Sequence, residues 1–129
     1  MGDNMKQEIK QTERGWGGHF CGVALCRFRR STLLEYNEIR VIVSTVGNYQ
    51  IPNWSKIERL NLTDYYETKV FYAKQEYEFY WDADVEKDIS DFDSNCGISE
   101  ITIESDFLAN NMHEIVISEI KEKMLKNII

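Results

Sequence analysis

The stretch that most limits the possible folds is residues 39–46, in which Ile39, Val41 and Val43 alternate with Arg40, Ile42 and Ser44. β-Branched side chains at alternate positions suit a pleated strand with one buried face, and their restricted χ1 makes them weaker helix formers. Leu33, Leu34, Glu35 and Tyr36 precede this stretch across the pair Asn37-Glu38. The spacing predicts two antiparallel strands joined by a two-residue turn. Gly47 and Asn48 are expected to end the second strand, and the single proline, Pro52, falls in the following loop.

Other segments extend the same plan. Residues 65–74 and 77–84 mix aromatic, β-branched and charged side chains near alternate positions, which predicts two more antiparallel strands turning near Gln75-Glu76. Residues 82–94 are acidic and read as a loop, with Phe92 as its apolar anchor. Residues 19–28 read as an extended, partly buried segment broken near Gly22, entered from a turn at Gly15-Trp16-Gly17-Gly18. From a cap at Ser105 or Asp106, the residues Leu108, Met112, Ile115, Val116, Ile120, Met124 and Ile128 follow three- and four-residue spacings. Acidic residues at the start of this segment and lysines near its end suit a helix dipole. Strands first and a helix last predict an α+β fold, an antiparallel β-sheet with a C-terminal amphipathic helix packed on it. Residues 1–13 lack apolar periodicity and are expected to form a flexible arm, with 14–129 as a single domain.

Charge is unevenly distributed along the chain. Residues 14–56 hold Arg14, Arg27, Arg29, Arg30, Arg40 and Lys56 against Glu35 and Glu38, whereas residues 57–106 carry four basic and fourteen acidic side chains. The net charge is −7. Arginine forks fit phosphate oxygens, while an acidic surrounding field repels long polyanions. A small phosphate ligand is expected, and nucleic acid is not. No apolar run approaches the ~20 residues that span a bilayer, and the first residues carry no signal-peptide core, so a cytoplasmic location without membrane association is expected. Cys21, Cys26 and Cys96 read as reduced thiols packed as small hydrophobes.

No phosphate-binding glycine loop of either common kind is present. His113-Glu114 is followed by Ile117 where a zinc-protease helix needs its second histidine, and His113 reads as a residue making a local polar contact. His19, Cys21 and Cys26 are three metal-type ligands without a fourth at suitable spacing. Asp82 and Asp84 with Glu67 are candidates for a Mg²⁺ or acid–base set, against the commoner reading of a solvated strand end. If the segment is extended, Arg27 and Arg29 share one face and Arg30 takes the other. Trp16, Phe20, Tyr65, Tyr66, Phe71, Tyr80 and Trp81 are available to stack on a base, though several must be core.

The set Arg14-Gly15-Trp16, Gly18-His19-Phe20, CRFRRSTLL from Cys26, VSTVG from Val43, YYET from Tyr65, Phe71-Tyr72-Ala73-Lys74, YWDADV from Tyr80 and Met112-His113-Glu114 resembles a family of small phage and prophage proteins, the first class of Thoeris anti-defence proteins. The resemblance implies a non-catalytic sponge for the cyclic ADP-ribose isomer made by bacterial TIR-domain enzymes. It also implies a homodimer or higher homo-oligomer with pockets at subunit interfaces, no cofactor and no metal. Carried onto matching positions, it suggests Trp16, Arg27, Arg29, Arg30, Tyr80, Asp82 and Asn110 as ligand-binding residues. Two other readings stay open from the residues alone: a small metal-dependent phosphodiesterase or nucleotide hydrolase using Glu67, Asp82, Asp84 or His113, and a module that docks an aromatic patch on a host protein.

Overall fold

The computed structural model describes residues 8–14, 26–49, 65–78, 80–97 and 103–129. Strands β1 (Lys10–Arg14), β2 (Cys26–Tyr36), β3 (Ile39–Tyr49), β4 (Tyr65–Tyr77) and β5 (Tyr80–Asp88) pair in sequence order, every pair antiparallel. A short 3₁₀ turn, Ser90–Phe92, leads to β6 (Ser94–Gly97), which pairs with the beginning of β4. Helix α1 (Ile103–Leu125) packs against β2, β3, β4 and β6, completing the expected α+β arrangement. No described helix is long and apolar enough to cross a membrane.

The alternation over 39–46 divides the sheet into two environments. Opposed residues share a face, so Leu34, Val41, Val43 and Val70 lie together beneath Val116, Ile117, Ile120 and Met124 of α1. The other face buries a smaller group, Leu33, Ile42, Phe71 and Ala83, flanked by Ala73 and Trp81. Burying each large aliphatic side chain contributes about 1.5–3 kcal/mol, so the helix-covered face holds most of the apolar stabilisation. Asn37 takes φ 58 in the expected hairpin turn, a left-handed conformation that asparagine tolerates.

Several boundaries depart from the sequence reading. Residues 10–13 of the expected arm form most of β1, because their registered partners in β2 supply a ladder. β3 continues through Gly47 to Tyr49, and Gly47 serves close packing there: a Cβ would lie 2.7 Å from the Tyr66 Cα. The turn expected at Gln75-Glu76 comes after Tyr77, which registers with Tyr80, and the β4–β5 pairing shifts register between Phe71 and Ala73 and between Gln75 and Tyr77. The acidic stretch expected as a loop continues β5 to Asp88 and then supplies β6, while Phe92 packs on the core as an anchor. Charged side chains are tolerated there because β5 is an edge strand. The helix begins at Ile103, so Ser105 and Asp106 lie inside it. Its buried stripe is Ala109, His113, Val116, Ile117, Ile120 and Met124, whereas Leu108, Ile115 and Ile128 are exposed. The glycine-rich turn, the segment before Cys26 and the Pro52 loop lie outside the described residues.

Candidate functional site

On the face away from α1, a groove with a cavity volume of about 910 Å³ runs between β1 and the β4–β5 hairpin. Its cationic side chains are Lys10 and Arg14 from β1 and Arg40 from β3, and Trp81 and Tyr80 of β5 supply its aromatic wall. β1 and β5 stand at opposite ends of the strand order, yet Arg14 reaches both Asp82 and Tyr80. The sheet therefore curls until its two edges meet across the groove, as right-handed strand twist favours.

Both arginines are oriented by a carboxylate and a ring. Arg40 donates through Nε to Glu35 Oε2 at 3.0 Å, its registered partner on β2, and its guanidinium carbon lies 4.1 Å from the Trp81 ring centroid. Arg14 donates through Nη1 to Asp82 Oδ1 at 3.0 Å and to Ser31 Oγ at 3.4 Å, and through Nη2 to the Tyr80 hydroxyl. The Tyr80 ring centroid is 5.0 Å from the Arg14 guanidinium carbon. Stacked on its ring, Arg40 keeps edge N–H groups available for a planar or tetrahedral anion, whereas both Nη groups of Arg14 are engaged by Asp82, Ser31 and Tyr80.

Arg30 belongs to the opposite face. It donates through Nε to Glu13 Oε1 at 2.8 Å and through Nη2 to Glu13 Oε2 at 3.1 Å. Its Nη1 serves Asn110 Oδ1 at 2.9 Å and Glu114 Oε1 at 2.7 Å. Hydrogen bonds to Glu13 above all, then Glu114, hold the Arg30 proton more firmly than usual despite burial. Burial would raise the Glu13 carboxyl, but hydrogen bonds from Arg30, Thr32 and Gln11 outweigh it and hold the pKa at about 2.

Beneath this ion pair lies a buried polar chain. Thr32 Oγ1 is 2.8 Å from Glu13 Oε2 and 2.7 Å from His113 Nε2, while Thr45 Oγ1 is 2.7 Å from His113 Nδ1 and 2.6 Å from Thr68 Oγ1. His113 is fully buried, and burial foremost, with the Arg30 charge second, pushes its pKa down to about 3. The imidazole is neutral at physiological pH.

The expected site residues are thus divided. Tyr80 and Asp82 stand at the groove, Arg30 and Asn110 meet on the helix side, and Arg29 is exposed on β2. Trp16 and the side chain of Arg27 lie outside the described residues, as do His19, Cys21 and the side chains of Cys26 and Cys96. Glu67 and Asp82 do not converge: their registered neighbours on β4 and β6 place them at opposite ends of β4. Burial pushes the Glu67 carboxyl up, partly offset by Lys69 and reinforced by Asp93, while Asp84 accepts the Glu86 backbone N–H at 3.2 Å. Among the described residues no three His, Cys, Asp or Glu side chains form a metal-type cluster.

Arg14, Arg40 and Glu13 were not singled out as site residues by sequence reasoning, and His113 was considered only for a local polar contact or for hydrolysis. The signal for Arg40 is parity, since it sits opposite in phase to buried Val41 and Val43. Nothing local signals that Glu13 and His113 share Thr32. Compared with known protein families, curated proteins and solved structures, the chain matches none.

Proposed function

We propose that the protein sequesters a compact nucleotide second messenger of the cyclic ADP-ribose type in the groove between β1 and the β4–β5 hairpin, without turnover, and so blocks bacterial TIR-based antiphage signalling. The observation that carries this reading is the pair of ring-stacked arginines, Arg40 on Trp81 and Arg14 on Tyr80, facing one cavity. A cavity of about 910 Å³ suits a ligand of nucleotide size. Arginine N–H groups bind phosphate oxygens, the aromatic wall stacks on adenine, and Glu35 and Asp82 accept ribose hydroxyls. The net charge of −7 disfavours long polyanions and leaves the local arginines for a small one. The residue pattern shared with the Thoeris anti-defence family supports the same ligand class, a cytoplasmic site of action and assembly as a homo-oligomer.

The test is calorimetric titration with ADP-ribose, its cyclic isomers and pyrophosphate, followed by heat denaturation and recovery of the ligand. Binding of a cyclic isomer, loss of that binding in Arg40→Ala, and return of intact ligand are expected. Recovery of a linear product identifies an enzyme instead, and binding that is unchanged in Arg40→Ala removes the groove from consideration.

A further inference from the structure

The chain of hydroxyls around His113 has only one possible direction. Glu13 is ionised, so its carboxylate only accepts, and the single Thr32 hydroxyl proton points to it. Thr32 then has only lone pairs left for His113, so Nε2 must carry the imidazole proton. Because the ring is neutral, Nδ1 presents a lone pair and accepts from Thr45, which in turn accepts from Thr68. The order of donation runs from Thr68 on β4 through Thr45 on β3, His113 on α1 and Thr32 on β2 to Glu13 on β1.

We infer that His113 is a positioning residue, which sets the register of β1 through Thr32 and Glu13 and thereby places Arg14 in the groove. β1 has five residues, and four of them are exposed, so its apolar support comes from Ile9 just before it, which packs partly buried on the helix-side core. A shift by one residue turns Glu13 to the other face, and a shift by two sets Gln11 or Gly15 beside Thr32. Neither Gln11 nor Gly15 brings a carboxylate, so among these neighbouring registers the observed one alone ends the chain on a carboxylate. Glu13 and Arg14 are consecutive and point to opposite faces, the first into this chain and the second to Asp82 and Tyr80. The same peptide that satisfies the buried histidine therefore aims the cation at the cavity. Arg30 also grips Glu13, but from the partly exposed rim. The interior link is the one that depends on His113.

The role of Arg14 as a ligand contact rests on the function proposed above, whereas the registering of β1 does not, and the experiment separates the two. In ¹⁵N-labelled full-length protein at pH 7, the His113 ring is expected as the Nε2–H tautomer. Thr32→Val keeps the Arg30–Glu13 pair but cuts its link to the histidine. It is expected to move the tautomer balance toward Nδ1–H and to raise amide exchange in β1 about tenfold, with α1 amides unchanged. Thr32→Ser, which restores the hydroxyl, is expected to reverse both effects. Should Thr32→Val not fold, Glu13→Ala replaces it and is judged on the tautomer shift alone, because it also removes the Arg30 pair. An Nδ1–H tautomer in the wild type, or unchanged β1 exchange in Thr32→Val, overturns the inference. Pyrophosphate titration followed at the Arg14 side chain reads the groove separately. No binding by the wild type overturns the groove reading and leaves the registering role to be judged on tautomer and exchange, whereas equal binding by the wild type and a Thr32→Val with loosened β1 overturns the coupling to Arg14.

Discussion

The two faces of the sheet use the same side chain in opposite ways. Under α1, Arg30 is closed on every edge by Glu13, Asn110 and Glu114, and the polar groups below it are spent on one another. In the groove, Arg40 has one carboxylate partner and a ring under its flat side, beside open volume. An arginine satisfied by several fixed oxygens stabilises the fold, a character that Arg14 shares through Asp82, Ser31 and Tyr80, whereas Arg40, held by one carboxylate and a ring, retains N–H groups for a further acceptor. The contrast shows that the surroundings, more than residue type, decide how many of an arginine's donors are already taken.

The largest expected effect tests the covered face. The folded pKa of His113 is about 3 against an ordinary 6.5, so the stability it confers is complete above pH 6.5 and is lost as pH falls toward 3. Chemical denaturation at stepped pH should show a decline of roughly 4 kcal/mol between pH 7 and pH 3.5, deepened below pH 4.5 because the Glu13 carboxyl takes up a proton more readily unfolded than folded. A flat profile would mean that the histidine is reached by water. Ile120→Ala comes next, with about 3 kcal/mol lost in unfolding and ligand affinity kept, because that side chain is buried in the helix-side core. Arg40→Ala should reverse this pattern, weakening nucleotide binding by about 1.5–3 kcal/mol in calorimetry while shifting stability by under about 1 kcal/mol. If Arg30→Ala proves the stronger disruptor of binding, the division between the faces is wrong. Smallest is Trp81→Leu, for which loss of the stacked cation should weaken binding by about 0.5–1 kcal/mol.

Much of the frame was legible in the chain. The alternation of Ile39, Val41 and Val43 and the Asn37-Glu38 turn specify the β2–β3 hairpin locally, and the C-terminal periodicity specifies α1. The rotation of that helix was not legible. Apolar side chains surround it on more than one side, so Leu108 and Ile115 look as eligible for burial as Val116 and Ile120. The choice is made by the sheet, where Thr32, Thr45 and Thr68 offer a polar floor that accepts His113 and turns Ile115 outward. The site was legible in kind but not in place. Arginines and aromatic rings were evident, but pairing Arg14 with Tyr80 requires a curled sheet that brings together residues 66 positions apart.

Five residues of β1 also guard the protein against itself. β2 is eleven residues long, and β1 covers its outer ladder only over residues 31–35. A bare strand edge is a template on which another chain can add a strand. Detachment of β1 would bare residues 31–35 of β2 as such a template, a route to fibrous aggregation.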